Sequence, residues 1–421
     1  MVKTTDSSLK IGPILFSPWI KLNNVLTLVY ASFMWLTTVA FINFLQPYLL
    51  EATLQVPENI QGRVSGNLTI LQEIILIIVG GIAGAYSDKV GRRIIFASGF
   101  SFMAVGFFVY PLASSLTQLF LFRSIFAIGV GMGGVMFSAC VQDTPQEGSR
   151  GRWIGVIGVF TGLGALFMAL VLSKIPSWLI ALGYTTTQAG TYACWFAASL
   201  SVVTAAVLSV GIGNPPQSEK KEKRKVFSDL LIGLAQVRNP RLALAYCSAF
   251  IGRGDLLVIA VFFSLWFVRD GADLSVSPEI SIAKAGMLFG VIQLSALLWG
   301  PVMGTIADKI NRVHAVIVAY SIAAVAYLLM GLYGSGDPGQ VTSLKMLLFA
   351  VLLGIGEISV INAGGALLGQ ETPPSIRGSV MGVFTVLGAA GIIFASSVGG
   401  ILFDNWYRGG PFLMMAVLNG L

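Results

Sequence analysis

The chain has 421 residues, 55% of them hydrophobic and only 11% charged, with a mean hydropathy of +0.82. An ordinary soluble domain carries about 25% charge, so the composition excludes one and makes lipid the solvent for most of the chain. The net charge of +7 comes from 26 Lys and Arg against 19 Asp and Glu; the basic residues collect in a few loops, and nucleic acid is not implied as a partner.

A membrane-crossing helix needs roughly 20 apolar residues. In chain order such runs lie at 25–49, 66–87, 94–114, 118–141, 153–174 and 189–212, and after a polar gap at 242–267, 283–306, 314–334, 345–367, 379–402 and 410–421. The expected fold is an all-α membrane protein of two six-helix bundles. Residues 1–24 are then a cytoplasmic segment, 25–213 the first bundle, 214–240 a cytoplasmic basic linker and 241–421 the second bundle. The last run is too short to cross, so the polypeptide is expected to continue past Leu421 or to have been trimmed there. The first run is too long for a signal-peptide core and is expected to stay as the first span. Eighteen Lys and Arg fall on the side of the N-terminus and six on the other, which predicts cytoplasmic termini; a bacterial inner membrane is the expected location.

Cys140, Cys194 and Cys247 are scattered and odd in number, and His314 stands alone beside Arg312, so neither a disulfide nor a metal site is expected. The chain has no Gly-x-x-x-x-Gly-Lys-Ser/Thr phosphate loop. Neither ATP-driven transport nor enzyme chemistry has residues to carry it, and no cofactor is implied.

The chain repeats itself. Gly84-Ala-Tyr-Ser-Asp88-Lys89-Val-Gly91-Arg92-Arg93 returns as Gly304-Thr-Ile-Ala-Asp308-Lys309-Ile-Asn311-Arg312, 220 residues later. Gln142-Asp143-Thr144-Pro145 with Arg150 returns as Gln370-Glu371-Thr372-Pro373 with Arg377. Duplicated membrane proteins with charged loops between paired helices are usually transporters. The first of these loops resembles the G-x-x-x-D-[RK]-x-G-[RK]-[RK] signature of the major facilitator superfamily. Arg123-Ser-Ile-Phe-Ala127-Ile-Gly129-Val-Gly131 is similar to that family's R-x-x-x-G-x-G-x-G stretch on span 4, with Ala127 at the first glycine. The resemblance covers the whole chain. It implies a monomer of two bundles rocking about a central cavity, lined mainly by spans 1, 4, 7 and 10, that admits a small-molecule substrate. Two subfamily marks are missing: the Gly-Pro of drug:proton antiporters on span 5, where Gly162-Leu163-Gly164 stands, and the acidic Pro-Glu-Ser of sugar porters after span 6.

On span 2, Glu73, Gly80 and Gly84 share one stripe, with Asp88 slightly round the same side. Small residues at that spacing let another helix approach, and Asp88 can meet a helix N-terminus. The resemblance makes that helix span 11 and the contact a cytoplasmic gate, with Gly84, Asp88, Lys89, Gly91, Arg92, Arg93 and Arg150 in the first half and Asp308, Arg312 and Arg377 in the second.

Five charges fall inside apolar runs and away from their ends: Glu73, Arg123, Arg253, Asp255 and Glu357. Each costs at least ~2.5–3.5 kcal/mol there and needs a partner or a wet cavity. Glu73 and Arg123 have similar depths and can pair, either as a proton-sensitive switch or as a structural salt bridge. On span 7, Ile251-Gly252-Arg253-Gly254-Asp255 puts its two charges about 200° apart, so either the helix is unwound there or one charge pairs with a neighbouring helix. Glu357 on span 10 is the expected partner of Arg253. Glu73, Arg123, Asp255 and Glu357 are therefore the candidates for proton coupling, and Arg253 for attracting an anionic group of a substrate. Asn43, Gln46, Gln293, Asn362 and Trp266 are further substrate-facing candidates, each with packing as the alternative. The function expected is secondary active, proton-coupled transport of a small organic solute. A drug or metabolite efflux antiporter, an uncoupled facilitator and a non-transporting receptor are the alternatives.

Overall fold

The computed structural model describes residues 9–213, 226–373 and 376–421, and it is almost wholly helical. A small hairpin comes first, β1 (Lys10–Ile11) against β2 (Ile14–Leu15). Next are α1 (Leu22–Ala52), α2 (Gln61–Val90), α3 (Arg92–Val109), α4 (Leu116–Asp143), α5 (Arg150–Leu170), α6 (Ile175–Ala181) and α7 (Thr186–Gly211). After the gap come α8 (Val226–Ala235), α9 (Pro240–Leu257), α10 (Phe263–Asp273), α11 (Pro278–Lys309), α12 (Arg312–Tyr333), α13 (Leu344–Glu371), α14 (Arg377–Asn405) and α15 (Gly410–Gly420). Among the described residues 11 segments are long and apolar enough to cross a membrane, and α15 is a shorter apolar helix. Ile82, Val210 and Leu298 are exposed, as lipid-facing positions can be.

Several boundaries follow from local chemistry. Ser115 caps α4, Asn239 caps α9 with Pro240 in the first turn, Asn311 caps α12 and Ser343 caps α13, each side-chain oxygen accepting an otherwise orphaned backbone N–H. The expected fifth span, 153–174, is covered by α5 and a 3-10 turn at Leu172–Lys174, and a short helix not expected from the sequence, α6, follows with Pro176 near its N-terminus. The seventh is not unwound at its glycines. α9 runs through Gly252 and Gly254 as regular helix, and a π-helical turn, Val258–Phe262, joins it to α10. Part of the basic linker is helical, because α8 lies against α14 and Tyr246 donates to the Gly233 carbonyl at 2.9 Å.

Contacts sort the chain into two compact units. The first comprises Met1–Ile42, Ile74–Met168 and Thr191–Lys221. In it α3 packs closely on α4, where a Cβ on Gly99 would stand 2.8 Å from the Gly133 nitrogen, and Phe96, Phe100, Phe107 and Phe126 fill the core. The hairpin is tied down in the same unit, since the Leu15 N–H donates to Ser149 Oγ at 3.0 Å and Phe16 meets Trp153 edge-on at 5.2 Å. The second unit comprises Asn43–Glu73, Ala169–Gly190 and Glu222–Leu421. It joins the end of α1, the start of α2 and the α5–α7 connection to all the helices after the gap, with α11 on α13, α12 on α13 and α9 on α14 as its main packings.

Candidate functional site

The two signature loops build related anchors. In the first unit Arg92 donates to the Ala139 carbonyl at 3.1 Å and forms an ion pair with Asp143 at the end of α4. In the second, Arg312 donates to the Ala366 carbonyl at 2.7 Å near the end of α13, while Glu371 pairs at 3.2 Å with Arg241. Arg241, Arg312 and Glu371 line a polar cleft of about 460 Å³ with Asn311 and Gln370. Arg93 donates to the Ser209 carbonyl, which ties α3 to α7. Gly80 and Gly84 lie against Val135 of α4, so the small-residue stripe of α2 serves packing inside the first unit. Lys89 ends α2, Gly91 turns the chain into α3 with φ 92°, and Arg150 opens α5. The side chains of Asp88, Asp308 and Arg377 lie outside the described residues.

A second set of anchors, not foreseen from the sequence, lies within the second unit. The N-terminus of α2 is capped by Asp404 of α14: the Gly62 N–H donates to one carboxylate oxygen and the Arg63 N–H to the other, both at 2.8 Å. The Arg63 guanidinium is 3.6 Å away, and the Asp404 side chain is fully covered. A carboxylate there satisfies orphaned donors and complements the positive end of the helix. The two helices touch closely beneath it. A Cβ on Gly66 would collide with the Ser396 carbonyl, and one on Gly400 would lie 2.8 Å from the Gly62 oxygen. Nearby, Arg269 pairs with Glu58 at 2.6 Å, and Arg408 bridges Asp270 at 2.6 Å and Asp273 at 2.5 Å. Burial works against the charge of Arg408, but the hydrogen bonds to Asp273 and Asp270 prevail and raise its pKa above the ordinary value. On another side, Ser177 donates to the Glu279 carbonyl at 2.7 Å. The sequence signals were there: an Asp closing span 11 behind Gly399-Gly400, and charges clustered in loops of one polarity.

The structure corrects the expected partner of Arg253. Among the described residues no ion pair joins Arg253 to Glu357. Arg253 is exposed and runs along Gly388 of α14, whereas Asp255 turns inward to α12 and α15. That divergence is what their spacing on an unbroken helix demands. Asp255 is fully buried, and one of its carboxylate oxygens accepts from Asn419 Nδ2 at 2.9 Å. Its backbone carbonyl accepts from the Tyr327 hydroxyl at 2.8 Å. Glu357 is buried on α13. Asn419 and Tyr327 were missed by the sequence reading, although a lone Asn in the last apolar run is the kind of polar residue that must find a partner.

The other candidates are dispersed. Arg123 is fully buried in the first unit, with its guanidinium 5.9 Å from the Tyr110 ring centre and 5.4 Å from that of Phe126. Glu73 and Gln46 are buried in the second unit, and Asn43 and Gln293 are half-buried there. Asn362 donates to the Gly300 carbonyl at 3.0 Å, joining α13 to α11. Trp266 is a core residue rather than a cavity wall: it is 3% exposed and packs on Phe412 at 5.5 Å and Tyr407 at 6.3 Å.

Eleven membrane-length helical segments among the described residues, a duplicated pair of arginine-pinned loops and charges buried within those segments define a multi-pass integral membrane protein of the transporter class. The chain belongs to the Major Facilitator Superfamily, whose pattern matches residues 25–342 and again 279–421. It is 26% identical over 385 residues to the magnetosome protein MamH of Paramagnetospirillum magneticum, covering 89% of this chain and 85% of that one. It is 24% identical over 383 residues to the magnetosome protein MamZ of the same organism, and there it spans only 57% of the relative's length. Its structure is similar to that of the nucleoside transporter NupG, with a TM-score of 0.73 over 95% of this chain and 98% of the other. At 16% identity that likeness is one of fold.

Proposed function

We propose that the protein is a secondary active transporter that moves a small organic solute by alternating access, coupled to protons. The observation that carries this reading is the pair of buried carboxylates Asp255 and Glu357, which no ion pair balances among the described residues. A charge held within the bilayer is costly, so acids in this position suit a cycle that loads and unloads a cation. Glu73 and Arg123 are the coupling candidates at the junction of α2 and in α4. Arg253, exposed on the opposite face of α9, is the residue proposed to meet an anionic group of the solute, with Asn43, Gln46, Gln293 and Asn362 as further polar contacts.

In the same reading the signature loops form the gate on the side of the chain termini, through Gly84, Asp88, Lys89, Gly91, Arg92, Arg93 and Arg150 and through Asp308, Arg312 and Arg377. The protein works as a monomer in a bacterial inner membrane with both termini in the cytoplasm, its two six-helix halves joined by the basic linker at 214–240. The test is flux in proteoliposomes with pooled organic acids, sugars and cationic drugs, wild type beside Glu357→Gln, with a pH-sensitive dye inside. Substrate-dependent proton movement that disappears in the variant supports the reading. Equal solute movement in both proteins without proton movement makes the protein a facilitator and removes the coupling role.

A further inference from the structure

α9 and α13 touch where a Cβ on Gly252 would stand 3.0 Å from Val360, and the two helices run in opposite senses. Asp255 lies three residues after Gly252 and Glu357 three residues before Val360. On antiparallel helices both steps lead the same way, about 4.5 Å each, so the two carboxylates share one level. α12 supplies the third wall, since a Cβ on Gly356 would stand 2.8 Å from Ala323, and Tyr327, one turn on, bonds the Asp255 carbonyl. α15 supplies the fourth: Asn419 donates to Asp255, and Met415, one turn away, lies against Gly254. Tyr327 is within electrostatic reach of both acids.

Four polar atoms are left over around this enclosure: three acceptors at the level of Asp255, and the hydroxyl of Tyr320, two turns before Tyr327 on α12. Asp255 Oδ2, Glu357 Oε2 and Asn419 Oδ1 are each buried without a hydrogen-bond partner. Asn419 has committed its amide nitrogen to Asp255 Oδ1 and to the Met415 carbonyl, both at 2.9 Å, so its oxygen has to point elsewhere. Three buried acceptors with no donor bonded to them are expensive, and one proton can bridge at most two of them. A small cation accepts lone pairs from all three at once. The donor set is oxygen only, and among the described residues no third acid, His or Cys joins it. That composition suits a hard ion of low charge and not a transition metal. A π-helical turn begins three residues after Asp255, a distortion that recurs beside functional sites.

We propose that Asp255, Glu357 and Asn419 form a binding site for one alkali cation, sodium or lithium, enclosed by α9, α12, α13 and α15. The inference rests on the transporter reading only for its purpose; binding itself is independent of flux. The proton competes with sodium, because either can neutralise the carboxylates. The titratable groups around Asp255 are Glu357 from α13 and Tyr320 and Tyr327 from α12; α15 offers the neutral Asn419, and Arg253 points away toward α14.

The experiment is thermal unfolding of the purified full chain in detergent, in sodium, lithium or choline chloride at equal ionic strength. At pH 8, 100 mM sodium should raise the melting temperature by about 2–3 °C over choline, and at pH 5.5 the difference should shrink. Asn419→Ala and Glu357→Gln should each abolish most of the sodium response. Should one variant fail to fold, the other decides. Asn419→Asp, which keeps the shape and adds a charge, should respond at lower sodium. Equal melting in sodium and choline overturns the proposal, as does a sodium response that survives in every variant. A sodium response lost in the variants, from a protein that moves no solute or proton in vesicles, keeps this site and refutes the proposed function instead.

Discussion

Replacing Asp404 by Ala tests whether the start of α2 is clasped to α14 by one carboxylate. The side chain accepts two backbone N–H bonds at 2.8 Å and is fully covered. Each charge-assisted bond contributes roughly 1.5–3 kcal/mol, and the charge at a helix N-terminus adds up to ~2 kcal/mol when partly buried. Burying the carboxylate costs several kcal/mol, which offsets most of that sum. A net preference of about 2 kcal/mol for the clasped arrangement remains, equivalent to a roughly 25-fold shift in its ratio to the open one. Asn at this position keeps one acceptor and loses the charge, so about half the free energy and a roughly 5-fold shift are expected. The reporter is Ser396→Cys, since Ser396 is 1% exposed beside Gly66, in a background without the three native cysteines. A membrane-impermeant maleimide is added from the face where α2 begins, and the labelling rate is compared with and without Asp404→Ala. An unchanged rate in a variant that inserts and stays monodisperse refutes the clasp.

Four other outcomes follow from the geometry. Gly66→Val should raise the same labelling rate at least as much as Asp404→Ala, because its side chain would strike the Ser396 carbonyl. Gly391→Ala puts a methyl group onto the Phe250 carbonyl where α14 meets α9; a loss of about 1–3 kcal/mol should show as a melting point several degrees lower. A double-mutant cycle of Arg92→Ala and Asp143→Ala should give a coupling of about 0.5–1 kcal/mol by thermal unfolding, modest because both side chains are partly exposed. Arg408→Gln leaves Asp270 and Asp273 without their shared cation, so its melting temperature at neutral pH should fall below that of the wild type.

The helices were legible because lipid imposes a length and a composition on each of them. Residues 94–114, for example, are matched by α3 and the turn that follows it. The short helix α6 was not legible, since the stretch from Ile175 to Ala181 lies between two spans and is too short to carry a membrane-length signal of its own. In the signature loops Arg92 and Arg312 each pin a carbonyl near the end of a later helix, a contact that the sequence repeat alone does not specify. What sequence could not supply was rotation. Arg253 and Asp255 are two residues apart and face different helices, and pairing Arg253 with Glu357 assumed an orientation that only packing against Gly388 and Tyr327 fixes. Asp404 and Asn419 were hidden for a different reason. Each is an unremarkable polar residue at a helix end, and its partner is more than 160 residues away in the chain.

The π-helical turn between α9 and α10 has a mechanical consequence. Such a turn holds one residue more than an α-helical turn, so straightening it would swing Phe263–Asp273 by roughly 100° about its axis and move it by ~1.5 Å. Asp255 lies just before the turn, and Arg269, paired with Glu58, lies beyond it on α10. The segment is thus a screw with a carboxylate at one end and a latch arginine at the other. A small change in winding at the buried acid would reach the start of α2 as a rotation, with no need for either helix to bend.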